Sequence, residues 1–187
     1  MRKGGGQHKG AAFERKVGQQ LSLWLTEGAR ADLFSRNVLS GGRFTLAVKN
    51  GVETSTPGDL MAAHPLAFEF LSRFMVECKH YKDLQILQFL LDRRNGTSFL
   101  SKVIDKAGRE AKHSGLIPMV IAQQNQLTSP LVFLPMSAGV HVLSARQPTG
   151  VVVYHKLHRD TVLVLRLDAL CMYIRAKDLL TLVGARL

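Results

Sequence analysis

The chain is poor in cysteine, in acid and in long apolar runs. Only Cys78 and Cys171 occur among its 187 residues. Two are too few for a disulfide framework or a cysteine-based zinc site, and they suit a reducing cytoplasm. No uncharged apolar run reaches the roughly 18 residues a membrane-spanning helix needs, so no membrane partner is expected. The opening Met1–Gly10 is basic and glycine-rich but has no apolar stretch, so no secretory signal is expected. Acidic residues number 14 against 25 Lys and Arg, leaving a net charge of +11. That excess points to a polyanionic partner, with nucleic acid ahead of a membrane surface. Hydrophobic residues make up 46%, enough for one well-packed domain and too many for bulk disorder.

Local patterning gives an α/β order. Residues 1–10 read as a flexible basic arm, with Arg2, Lys3 and Lys9 available for loose phosphate contacts. Residues 11–187 read as a single domain. Phe13, Val17, Gln20, Leu21 and Trp24 recur at helical spacing over 11–27, with Glu14 beside that stripe and Gly28 as a stop. Residues 33–39 and 43–48 read as a hairpin around Ser40-Gly41-Gly42, and 49–58 as a loop. Asp59–Ala63 suits a short strand broken by His64-Pro65. Residues 73–79 form the clearest strand, with Met75, Glu77 and Lys79 on one face and Phe74, Val76 and Cys78 on the other. A short helix is expected at 84–92.

Residues 97–114 predict a two-faced helix. Leu100, Val103, Ile104, Ala107 and Ala111 lie on one side, and Lys102, Lys106 and Arg109 on the other. The apolar run 117–124 then predicts a buried strand, and a helix leading into it suggests a crossover in a mixed sheet. Further strands are expected at 131–134, 151–157 and 161–167, with a closing helix at 176–183.

The residues that can carry chemistry are Asp59, Glu77 and Lys79. If the strands bearing them pair, two carboxylates and an ammonium meet at one sheet edge. Two such hard oxygen ligands suit Mg²⁺ or Mn²⁺, with the backbone carbonyl of Cys78 as a further ligand. A lysine one pleat away can orient or deprotonate a water, and this chemistry fits phosphodiester hydrolysis. Plainer readings stand beside it. Glu77 and Lys79 also suit an exposed ion pair on an edge strand. Asp59 also suits a turn cap after Pro57-Gly58, and Glu14 a solvated residue favoured by a helix dipole. The Cys78 side chain should face the core.

Thr56-Pro57-Gly58-Asp59 followed by Val76-Glu77-Cys78-Lys79 resembles the PD-(D/E)xK nuclease superfamily. The upstream helix with Glu14 and the downstream basic helix and strand are similar to that family's α-β-β-β-α-β core, over about residues 8–125. Within the superfamily the chain looks most like the Holliday-junction-resolvase branch, phage-borne members included. One departure is Gly58, which makes the motif PGD where the family has PD.

The resemblance implies a restriction-endonuclease-like α/β fold with a central mixed sheet. The core would span about 11–125, with extra strands in a C-terminal extension, 126–187. It implies that Asp59 and Glu77 ligate Mg²⁺ (or Mn²⁺), that Lys79 acts on water, and that Glu14 completes the acidic cluster. It implies a polar site residue at Gln123 and DNA contacts from Arg36 and Ser40. His80 and Lys82 follow the motif and are further candidates for DNA contact, as are Lys102, Lys106 and Arg109. The implied activity is metal-dependent endonucleolytic hydrolysis of branched DNA by a homodimer. Two other readings remain: a phage or restriction-type nuclease acting on linear DNA, and a non-catalytic nucleic-acid-binding accessory protein.

Overall fold

The computed structural model describes residues 5–37, 57–91, 98–138, 153–157 and 160–184. In chain order the elements are α1 (Gly5–Leu25), β1 (Phe34–Arg36), β2 (Leu60–Ala62), α2 (Pro65–Leu71), β3 (Phe74–Tyr81), α3 (Ile86–Leu91) and α4 (Phe99–His113). There follow β4 (Ile117–Gln124), β5 (Leu131–Pro135), β6 (Val153–Leu157), β7 (Asp160–Arg166), α5 (Leu167–Tyr173) and α6 (Ala176–Gly184). Among the described residues no helix is long and apolar enough to cross a membrane.

A mixed sheet of order β3-β4-β5-β7-β6 forms the centre. β3 and β4 are parallel, joined by the crossover through α3 and α4, and the remaining pairs are antiparallel. Period-2 alternation sends Phe74, Val76 and Cys78 to the face covered by α1, α2, α5 and α6. Met75 goes to the other face, against Leu100, Val103, Ala107 and Ala111 of α4. The apolar stripe expected on α4 is therefore the buried one. Ser98 caps that helix by accepting from the Ser101 amide at 3.1 Å, and Lys112 and His113 complement its dipole at the other end.

Three expectations are corrected. The first helix begins at Gly5, so Lys9 stands on a helix and not on a flexible arm. β1 pairs with β2 in a separate two-stranded sheet, Arg36 opposite Leu60, so the strand after Asp59 does not join β3 as a ladder. His64-Pro65 starts a helix as well as ending a strand. The His64 side chain accepts from the Leu66 amide, and Pro65 takes a first-turn position where its missing N–H costs nothing. Residues 1–4, including Arg2 and Lys3, lie outside the described residues, as do Ser40 and most of the expected hairpin.

Close packing at Gly18 lets α1 cross β1. A Cβ there would meet the Phe34 Cβ at 3.3 Å, tighter than most such contacts. One turn earlier on the same helix stands Glu14, so this crossing sets Glu14 over Arg36. Buried Ser22 locks the geometry, donating to the Gly18 carbonyl at 2.7 Å and accepting from the Leu33 amide at 3.0 Å.

Candidate active site

Asp59 is delivered by a turn that only glycine permits. Gly58 has φ +104°, and a Cβ on it would lie 2.7 Å from the Val76 carbonyl oxygen. The glycine that departs from the PD pattern is thus what lets the chain approach β3. From there the Asp59 amide donates to the Val76 carbonyl at 2.8 Å, and Asp59 Oδ2 accepts from the Cys78 amide at 2.7 Å. Asp59 is thereby bonded to the outer edge of β3 on both sides of Glu77.

Buried Asn37, just after β1, holds the other side of this turn. Its backbone amide donates to the Asp59 carbonyl at 2.8 Å, and its side-chain amide donates to the Gly58 carbonyl at 2.9 Å. Sequence reasoning did not single out Asn37. The Gly58 partner is 21 residues away, and the only local signal is an Asn at the end of a short strand.

Lys79 gathers the site. Its ammonium contacts Glu77 Oε1, lies 3.9 Å from Asp59 Oδ2, and donates to the Cys78 carbonyl at 3.3 Å. Glu77 and Asp59 are only 8% and 5% exposed. Two carboxylates and one ammonium leave a net charge of −1 in a poorly solvated place. Burial pushes the Glu77 carboxyl above its ordinary value of 4.5, and the Asp59 charge pushes it further, against the pull of Lys79. Burial works to lower the Lys79 ammonium, but Glu77 and Asp59 outweigh it and raise the group above its ordinary 10.5. The Cys78 thiol is driven well above 9.0 by burial and the surrounding carboxylates, so it packs and is no nucleophile.

The donor set suits a hard cation. The oxygens of Glu77, Asp59 and the Cys78 carbonyl already converge on one cationic nitrogen, and the cluster carries one negative charge in excess. Glu14 does not join it. Its carboxylate is held by the Arg36 guanidinium, and among the described residues no three His, Cys, Asp or Glu side chains are grouped to hold a metal ion.

The other expected residues are spread around this centre. Gln123 pairs in register with His80, on the face of the sheet opposite Glu77 and Lys79. Its amide donates to the Gln124 and Leu127 carbonyls, each at 2.8 Å, and so braces the turn after β4. Lys102, Lys106 and Arg109 are exposed on α4, Lys106 pairing with Glu110 at 3.5 Å, and Lys106 also draws the Glu77 charge. Lys82 is exposed just beyond β3, and His80 is half-buried.

A mixed sheet layered between helices, with two buried carboxylates and a lysine at the edge of its first long strand, is the restriction-endonuclease-like arrangement. Residues 5–181 match the family model described as "Phage putative PDDEXK endonuclease". The chain belongs to that family, of the PD-(D/E)xK superfamily and phage type. It matches no curated protein and no solved structure at a significant level.

Proposed function

We propose that the protein is a Mg²⁺- or Mn²⁺-dependent endonuclease that hydrolyses DNA phosphodiester bonds, with branched DNA as its substrate. The observation that carries this reading is the convergence of Asp59, Glu77 and the Cys78 carbonyl on a single cationic position, now taken by the Lys79 ammonium. Those three groups would hold the metal. When bound, a divalent cation lowers the pKa of water and polarises the scissile phosphoryl group.

The chain's own residues do the rest. Lys79, displaced from the carboxylates, orients the attacking water and meets the developing charge. Glu14 reaches the same centre once Arg36 turns to a phosphate. Gln123 acts at a distance, through the turn it braces. Lys9, Arg36, Lys82 and the exposed face of Lys102, Lys106 and Arg109 supply positive or polar contacts to the DNA backbone, as do Arg2, Lys3 and Ser40 outside the described residues, while His80 touches the backbone or a base. The branched substrate and a symmetric homodimer rest on the resemblance to junction resolvases, which cut two strands symmetrically.

The test is cleavage of a four-way junction, a flap, a linear duplex and a single strand, each with Mg²⁺ and with chelator. Wild type is expected to cut the junction only with metal, and Glu77→Ala to lose about 10³-fold in rate. No metal-dependent cleavage of any DNA overturns the enzyme. A preference for linear duplex overturns the junction and leaves the endonuclease.

A further inference from the structure

A separate cavity opens on the other side of β3, at the carboxyl ends of the parallel pair β3–β4. Such strand ends are where open α/β sheets receive ligands. It is an open depression of about 400 Å³, within the size range of small-ligand pockets. Lys9 and Lys16 of α1 form one wall, His80 another, and Asn125 and Gln126 of the turn after β4 a third. Among the described residues no carboxylate lines it. It is continuous in sequence with the proposed metal site, since His80 follows Lys79.

Two observations give this cavity a chemistry. Buried Phe13 backs the His80 ring, with centroids 5.2 Å apart, so the imidazole is a fixed flat surface. Gln126 is a non-glycine residue at φ +73°, a conformation that strains any residue bearing a side chain. An exposed amide is thus held at the rim on strained backbone, where glycine would be easier. The turn beneath it is fixed by the two bonds from Gln123 and by the Asn125 backbone amide donating to the Tyr81 carbonyl at 3.1 Å. The Lys9 ammonium in turn donates to the Asn125 side-chain oxygen, which ties the helix wall to the turn.

The geometry points to a subsite for one unpaired nucleotide of the DNA strand, its base lying on His80 against the Asn125 and Gln126 amides and its phosphate between Lys9 and Lys16. A ring face, two cations and an amide pair are what a nucleotide offers partners for. A base stacked inside a duplex has both faces covered and offers none to the His80 ring, so the nucleotide must be out of the stack. This rests on the DNA-cutting reading above and sharpens it: the substrate is DNA with an unstacked nucleotide beside the cut.

Binding is measured by fluorescence anisotropy in chelator, with a labelled single strand of about ten nucleotides and a blunt duplex of the same sequence as probes. His80→Ala is expected to weaken the single strand about tenfold and the duplex less than about twofold. Gln126→Gly and Lys16→Ala change exposed residues, so they carry the test if His80→Ala fails to fold. Gln126→Gly should weaken the single strand about threefold without lowering the melting temperature. Equal losses on both probes, or no loss on either, overturn the subsite. Because the metal is removed, a protein that binds the single strand selectively but never cuts overturns the nuclease and keeps the subsite. One that cuts but binds both probes alike does the reverse.

Discussion

The two halves of the central sheet contrast sharply. Across β5 and β7, Val132, Phe133, Leu134, Val162, Leu163, Val164 and Leu165 are all buried, and no charged residue is buried among them. At the other end, the outer edge of β3 buries Asp59, Glu77 and most of Lys79 within a few ångströms of one another. The apolar half gains stability from area removed from water. The charged edge gives stability up, since desolvating like charges is costly, and it is the edge to which we assign the chemistry. On the proposed site, stability and function are separated along the strand order, and substitutions in the two halves should have different readouts.

The largest expected effect on stability is in the apolar half. Phe133→Ala removes a ring that is 1% exposed and packs edge-on against Phe89, with centroids 5.6 Å apart. Denaturant titration should show a loss of about 3–5 kcal/mol. Gly58→Ala tests the junction between the halves. It must bear both positive φ and a clash with the Val76 carbonyl, so about 3 kcal/mol is expected, together with loss of cleavage. Asn37→Ala should cost about 1–3 kcal/mol and reduce cleavage by more than that stability loss explains, because the Asp59 turn loses its brace. Equal effects on folding and cleavage would mean that the two halves of the sheet are not separated in role.

A smaller effect separates wild type from Glu77→Gln in metal-free buffer. Because the folded-state pKa of Glu77 lies above its ordinary 4.5, the folded protein keeps a proton that the unfolded chain releases in that window. The contribution of this group to stability is full below 4.5 and is lost as pH rises through the folded value. Melting curves should therefore show wild type losing stability relative to Glu77→Gln as pH rises through that window. A difference that stays flat with pH would refute the strained carboxylate. Smallest for stability is neutralising exposed Lys102, Lys106 or Arg109. Each is expected to leave melting unchanged and to reduce the salt slope of DNA binding by about 0.9.

Much of the fold was legible because regular period makes burial readable. The alternation in β3 and the amphipathic stripe of α4 are cases in point. α2 and α5 were not. The His64-Pro65 pair is a breaker for a strand and a starter for a helix, and the short apolar run at Leu167–Tyr173 fits either state until its neighbours are known. The face shared by Glu77 and Lys79 was readable from spacing, whereas the role of Asn37 depends on a tertiary contact. Glu14 shows the same limit: its place on α1 was readable, but its pairing with Arg36 depends on how α1 crosses β1.

Trp24 is the sole tryptophan in the sequence, and its indole N–H donates to the Ile174 carbonyl at 2.6 Å, a bond spanning 150 residues. The first helix therefore cannot complete its surroundings until Ile174 has been synthesised. During translation α1 must wait for the residues that close over it. Tryptophan fluorescence then reports the closing of this pocket, in which Phe70 of α2 (centroids 6.1 Å apart) is joined last by the segment around Ile174.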